Sequence, residues 1–160
     1  MKLLSRKQIT VITFLFLASI PFAQSQNLYQ NECTEIGNDG HITLKIWNPD
    51  KGKRYKIDDA QKDAIRVILF NGIASNEKCI GQKPLLQNEK EKTNFEKISK
   101  DFFKTKGNWQ TYIHSSNLEN AIPDKVGEKN WNLYQITVNK TMLKKYLGEQ
   151  EIIKPINTGF

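Results

Sequence analysis

The chain has 160 residues, 26% charged and 38% hydrophobic, with 24 Lys and Arg against 17 Asp and Glu for a formal net charge of +7. That length is one domain's worth, enough for a single core. The basic excess is modest and no aromatic-rich binding motif accompanies it, which argues against a nucleic-acid-binding protein.

The chain opens on a basic head with Lys2, Arg6 and Lys7. An almost unbroken apolar stretch follows from Ile9 to Phe22, and Ala23-Gln24-Ser25 closes it. A basic start, an apolar middle and a small-x-small exit are the three parts of a secretory signal peptide. The competing reading is a short membrane anchor, which wants about 20 apolar residues. Here Thr10, Thr13 and Ser19 interrupt the stretch and Pro21 ends it. Cleavage after residues 1–25 is expected, leaving one secreted domain over residues 26–160. The removed segment carries three cations and no acid, so the net charge falls from +7 to +4. No Cys sits at the exit, so lipid attachment there is not expected. No later segment is apolar enough to span a membrane. The expected location is secreted or periplasmic.

Residues 26–40 are polar and end in the turn signal Gly37-Asn38-Asp39-Gly40. Ile42, Leu44 and Ile46 alternate with Thr43, Lys45 and Trp47, which predicts a strand with one buried face. Asn48-Pro49-Asp50-Lys51-Gly52 stops it. Asp58 or Asp59 then caps a helix. Ala60, Ala64, Val67 and Ile68 form its apolar stripe, Ile65, Leu69 and Phe70 widen it, and Gly72 follows as a C-terminal stop. Residues 73–87 have no period and read as a long loop. From Asn88 a charged helix is predicted, with Phe95, Ile98 and Phe102 on its buried side. Lys106-Gly107-Asn108 reads as a turn and Trp109 to His114 as a second strand. Residues 115–130 read as another loop and Asn132 to Val138 as a third strand. A short helix follows from about Lys140 to Leu147, and residues 151–156 are a candidate edge strand. The mixed order predicts an α+β fold: a mainly antiparallel three- to four-stranded sheet with two to three helices packed on one face.

Two cysteines, Cys33 and Cys79, lie in the exported part, and an even count in that compartment favours a disulfide between them. With His41 and His114 they lack the paired close spacing of a zinc site, so no metal or other cofactor is expected. If each element crosses the domain once and successive elements reverse, both cysteines, both histidines and both long loops fall at one end. Ser115, Ser116 and Asp124 lie near the histidines in that trace, which supplies a hydroxyl, a base and a carboxylate. No Gly-x-Ser-x-Gly elbow supports them, so no catalytic residue is assigned. The opposite end collects Lys51, Lys53, Arg54, Lys104 and Lys106, with Lys56, Lys140 and Lys144 beside them. Such a pole would attract an acidic partner through its field. Asn139-Lys140-Thr141 matches a glycosylation acceptor. No phosphate loop, His-Glu-x-x-His, paired Cys-x-x-Cys or calcium loop is present.

The run from Asp59 to Ile73, DAQKDAIRVILFNGI, follows the strand Ile42–Trp47. It resembles a segment of uncharacterised secreted proteins of Bacteroidota-type bacteria. It is more faintly similar to N-terminal domains of flagellar and envelope accessory proteins. The closing Asn157-Thr158-Gly159-Phe160 resembles the ends of the same secreted group. The resemblance implies an α+β envelope domain and brings no activity or functional residue with it. The favoured function is a non-enzymatic binding or accessory domain at the cell envelope. The acidic component it meets is a glycan, a lipid head group or a protein. The alternative is a small secreted hydrolase using His114 and loop residues.

Overall fold

The computed structural model describes residues 29–119 and 131–154. The expected signal segment, residues 1–25, Asp124 and the closing four residues lie outside them. Four strands, β1 (Gln30–Ile36), β2 (His41–Trp47), β3 (Ile113–Glu119) and β4 (Leu133–Asn139), form one antiparallel sheet in the order β1-β2-β4-β3. Three α-helices, α1 (Ile57–Arg66), α2 (Glu89–Phe102) and α3 (Lys140–Glu149), complete an α+β fold.

The central strands are the apolar ones. Ile42, Leu44 and Ile46 of β2 and Tyr134, Ile136 and Val138 of β4 are buried, in register with one another across the pair. Ala60, Ala64, Val67 and Ile68 of the first helix join them in one core, as the helical spacing requires. Phe95 and Phe102 of α2, and Leu143 and Leu147 of α3, extend that core. The opposite face of the sheet carries His41, Thr43 and Lys45 of β2 and Gln135 and Thr137 of β4.

Asp58 and Asp59 do not cap α1: Lys56 stands at its N-cap with no side-chain bond, and both carboxylates lie in the first turn, where the helix dipole favours them. Four further details differ from the sequence expectation. First, residues 30–36 form a strand although they read as polar chain. β1 is an edge, where only Cys33 is fully buried and Glu32 and Glu35 face water, so no apolar alternation betrays it. Second, Asn108–Tyr112 is a 3-10 turn instead of a strand. Its buried residues, Trp109 and Tyr112, are three apart, which is the 3-10 period. Third, the strand begins at Ile113 and runs to Glu119, through residues expected to start a loop. It is the other edge, again with polar, exposed side chains. Fourth, Glu151–Lys154 is a turn, with Ile152 and Ile153 folded back so that their N–H groups bond the Leu147 carbonyl.

The directional trace changes accordingly. The 3-10 turn does not cross the sheet, so one crossing is lost before β3. β2 and β4 run antiparallel, and the end holding His41 also holds Ile113 and Asn139.

Candidate functional site

The segment 73–87 has no helix or strand period, yet it is held at many points. α1 continues into a π-helical turn, Val67–Asn71, closed by Gly72 N–H donating to the Val67 carbonyl at 2.8 Å. That wider turn frees the carbonyls of Ile68 and Leu69. The backbone N–H groups of Leu85 and Leu86 take them, at 3.0 and 2.9 Å. Gly72 sits at φ 75°, and a Cβ there would lie 2.3 Å from the Gln82 carbonyl oxygen. Only glycine lets the returning chain approach this closely. Asn76 adds a local turn, accepting from Lys78 and Cys79 N–H while its amide donates to the Cys33 carbonyl at 2.8 Å. The disulfide Cys33–Cys79 forms as expected, with Cα atoms 6.1 Å apart, and ties the segment to β1.

This anchored segment forms one wall of a recess of about 520 Å³. Lys83 comes from it, Lys140 and Lys144 from successive turns of α3, and Lys154 from the turn after α3. Pro84, Leu85 and Ile153 supply apolar wall, and Glu91 is the one carboxylate among the described lining residues. Its Oε2 already accepts from Gln87 N–H at 2.6 Å. Among the described residues none of the four lysines has an ion-pair partner. Lys140 donates to Gln82 Oε1, which fixes its ammonium group against the anchored segment. Burial pushes Lys140 below the usual lysine range, and the neighbouring Lys144 charge adds to that. Lys140 is also the first residue of α3, whose first turn holds no acid. A cation there opposes the helix dipole, which favours negative charge at that end.

The second candidate lies on the open face of the sheet. His41 and His114 come together with ring centres 4.5 Å apart. They share an open recess of about 560 Å³ with Glu35, Asp39, Thr43 and Thr137. Asp39 Oδ2 lies 2.6 Å from His41 Nδ1. The His41 backbone N–H, and then its side chain, hold the Asp39 carboxyl below the usual range. The hydroxyls nearby are committed. Thr43 and Thr137 bond each other at 3.0 Å, and Ser116 lies on the helix side, accepting from Gln61 at 2.9 Å. Ser115 is exposed on β3. No group of three His, Cys, Asp or Glu suited to a metal occurs among the described residues.

The cations expected at one pole are distributed differently. Lys51 pairs with Asp59 at 3.0 Å and lies 5.7 Å from the centre of the Tyr55 ring. Lys104 lies 3.4 Å from Asp101. Lys53, Arg54 and Lys106 are exposed. Lys140 is not beside Lys51, because its N–H bonds the Gly40 carbonyl at the opposite end of β2. Two of the four recess lysines, Lys83 and Lys154, were not singled out from sequence. Their convergence depends on the glycine, the π-turn and the disulfide that fold residues 73–87 back, and no local motif announces it. No described helix is long and apolar enough to cross a membrane. No family model, curated protein or solved structure matches the chain.

Proposed function

We propose that the protein is a secreted or periplasmic, non-enzymatic binding domain of the cell envelope that meets an acidic partner through the lysine-lined recess. The observation that carries this reading is the convergence of Lys83, Lys140, Lys144 and Lys154 from three segments, without a described ion-pair partner. Holding like charges together costs repulsion, and placing Lys140 at a helix N-terminus adds to that cost. Departures from local rules of this kind collect at functional sites. The disulfide fits an oxidising compartment. Retention on isolated envelope, at low and high salt, tests the proposal. The exported protein should bind at low salt and be released as salt screens the contact. A variant with all four lysines changed to Gln should not be retained. Equal retention of the two proteins would remove the recess from consideration. If a K51Q/K53Q/R54Q/K104Q/K106Q variant loses retention instead, the contact lies at those five cations.

A second reading, hydrolysis, is favoured by the contact of Asp39 with His41 beside His114. It moves the expected base from His114 to His41, the histidine that holds a carboxylate. Chromogenic ester and glycoside substrates test it. Turnover lost in H41A and kept in the four-lysine variant would support it, and no turnover above buffer on any substrate would end it.

A further inference from the structure

We infer that the recess takes a phosphate-bearing anion, a phosphomonoester or pyrophosphate group, in preference to a carboxylate. The inference rests on the reading of the recess as an anion site and names the chemistry it selects. Two observations favour phosphate. The first is charge balance among four lysines, whose compact ammonium groups bind phosphate as point charges. Four ammonium groups face one carboxylate, Glu91, which is already engaged by Gln87 N–H. A phosphomonoester carries about −1.5 to −2 charge at neutral pH, roughly twice a carboxylate's. One such group therefore neutralises more of the cluster from a single position. Second, a volume of about 520 Å³ exceeds what one phosphate needs, and Pro84, Leu85 and Ile153 give the remaining wall an apolar character. That suits the organic body of a phosphorylated molecule.

Part of the site is held before its ligand arrives. The backbone carrying Lys83 is fixed by Cys33–Cys79 and by the Leu85 and Leu86 bonds, and the Lys140 ammonium group is held by Gln82, while the Lys83, Lys144 and Lys154 side chains are exposed. Pre-positioned donors reduce the ordering cost of binding.

The test is calorimetric titration of the exported protein at one fixed ionic strength with inorganic pyrophosphate and with citrate, a carboxylate anion of similar charge. Vesicles of phosphatidylcholine with and without phosphatidic acid form a second arm. Pyrophosphate should bind about tenfold more tightly than citrate, and the four-lysine Gln variant should lose about tenfold or more of that affinity. A K83Q/K144Q/K154Q variant, which spares half-buried Lys140, should show the same direction if the full variant folds poorly. Binding to phosphatidic-acid vesicles without binding to pyrophosphate would support a lipid phosphate as the source, and the reverse a free phosphorylated molecule. Citrate binding as tightly as pyrophosphate would overturn the phosphate preference, even with salt-sensitive envelope retention intact. Pyrophosphate binding unchanged in both lysine variants would overturn the site itself. Absence of both pyrophosphate and phosphatidic-acid binding would overturn the phosphate inference.

Discussion

Two basic regions of this molecule look alike in sequence and differ in space. The turn at Lys51, Lys53 and Arg54 packs three cations into four residues, yet Lys51 is spent on Asp59 and the other two point into solvent. The recess draws Lys83, Lys140, Lys144 and Lys154 from three separate segments; three of the four are exposed as well, but they line one concavity and have no described acidic partner. Charge density along the chain is therefore a poor guide to field strength at a surface. Exposed charges in a turn are screened over about 10 Å. Charges that converge on a concave wall against low-dielectric protein reinforce one another.

The strongest way to break this comparison is to release the wall of the recess while leaving the turn alone. Replacing Cys33 and Cys79 by Ser removes a link spanning 46 residues. The chain-entropy model puts the loss at about 4 kcal/mol. Chemical denaturation should show that loss. Anion binding at the recess should weaken in the protein that remains folded, because Lys83 is no longer held. Binding kept intact despite the stability loss would mean that the segment is anchored by its backbone bonds alone.

The complementary perturbation strikes the turn. Tyr55 is fully buried and donates to Asp63 Oδ2 at 2.8 Å, while Arg66 reaches Asp63 Oδ1 at 2.6 Å. Y55F removes one donor from a buried carboxylate and should cost about 1–3 kcal/mol, measured by thermal or denaturant unfolding, with anion binding unchanged. The anchor has a pH signature as well. Burial holds the Asp63 carboxyl above its usual range, against the opposing pull of Tyr55 and Arg66. The folded protein thus keeps this proton to higher pH than the unfolded chain does. Stability from this group should fall as pH rises from the ordinary carboxylate range through the raised value. D63N should flatten that slope.

A smaller effect sharpens the comparison from the side of the recess. Lys140 is held below the usual lysine range by burial and by Lys144. The folded state therefore sheds this proton before the unfolded chain does. Its contribution to stability should rise with pH as the ordinary lysine range is approached. K140Q should remove that alkaline slope, read as stability against pH in denaturant unfolding.

What the residues disclosed and what they hid follows the same division between local and distant. The two central strands were readable because Ile42, Leu44 and Ile46, and Tyr134, Ile136 and Val138, alternate with polar neighbours and one face is buried. The first helix was readable from Ala60, Ala64, Val67 and Ile68. The edge strands were not, since a polar edge with water on both sides of most residues has no reason to alternate. Trp109 and Tyr112 misled because a short stretch with two buried aromatics fits a strand or a 3-10 turn until its ends are known. The disulfide was legible from the expected compartment and the even count. The recess was not: Lys140 and Lys144 stood out as charges but were placed at the wrong end, and Lys83 and Lys154 gain meaning only once Gly72 and the π-turn fold the intervening chain back.

The central claim, that the recess and not the turn is the anion-binding surface, is tested most directly by lysine side-chain NMR of the protein during titration with inorganic pyrophosphate. The account predicts that the ammonium signals of Lys83, Lys140, Lys144 and Lys154 move together and saturate, while those of Lys51, Lys53, Lys104 and Lys106 stay in place. Movement confined to the second set would contradict it.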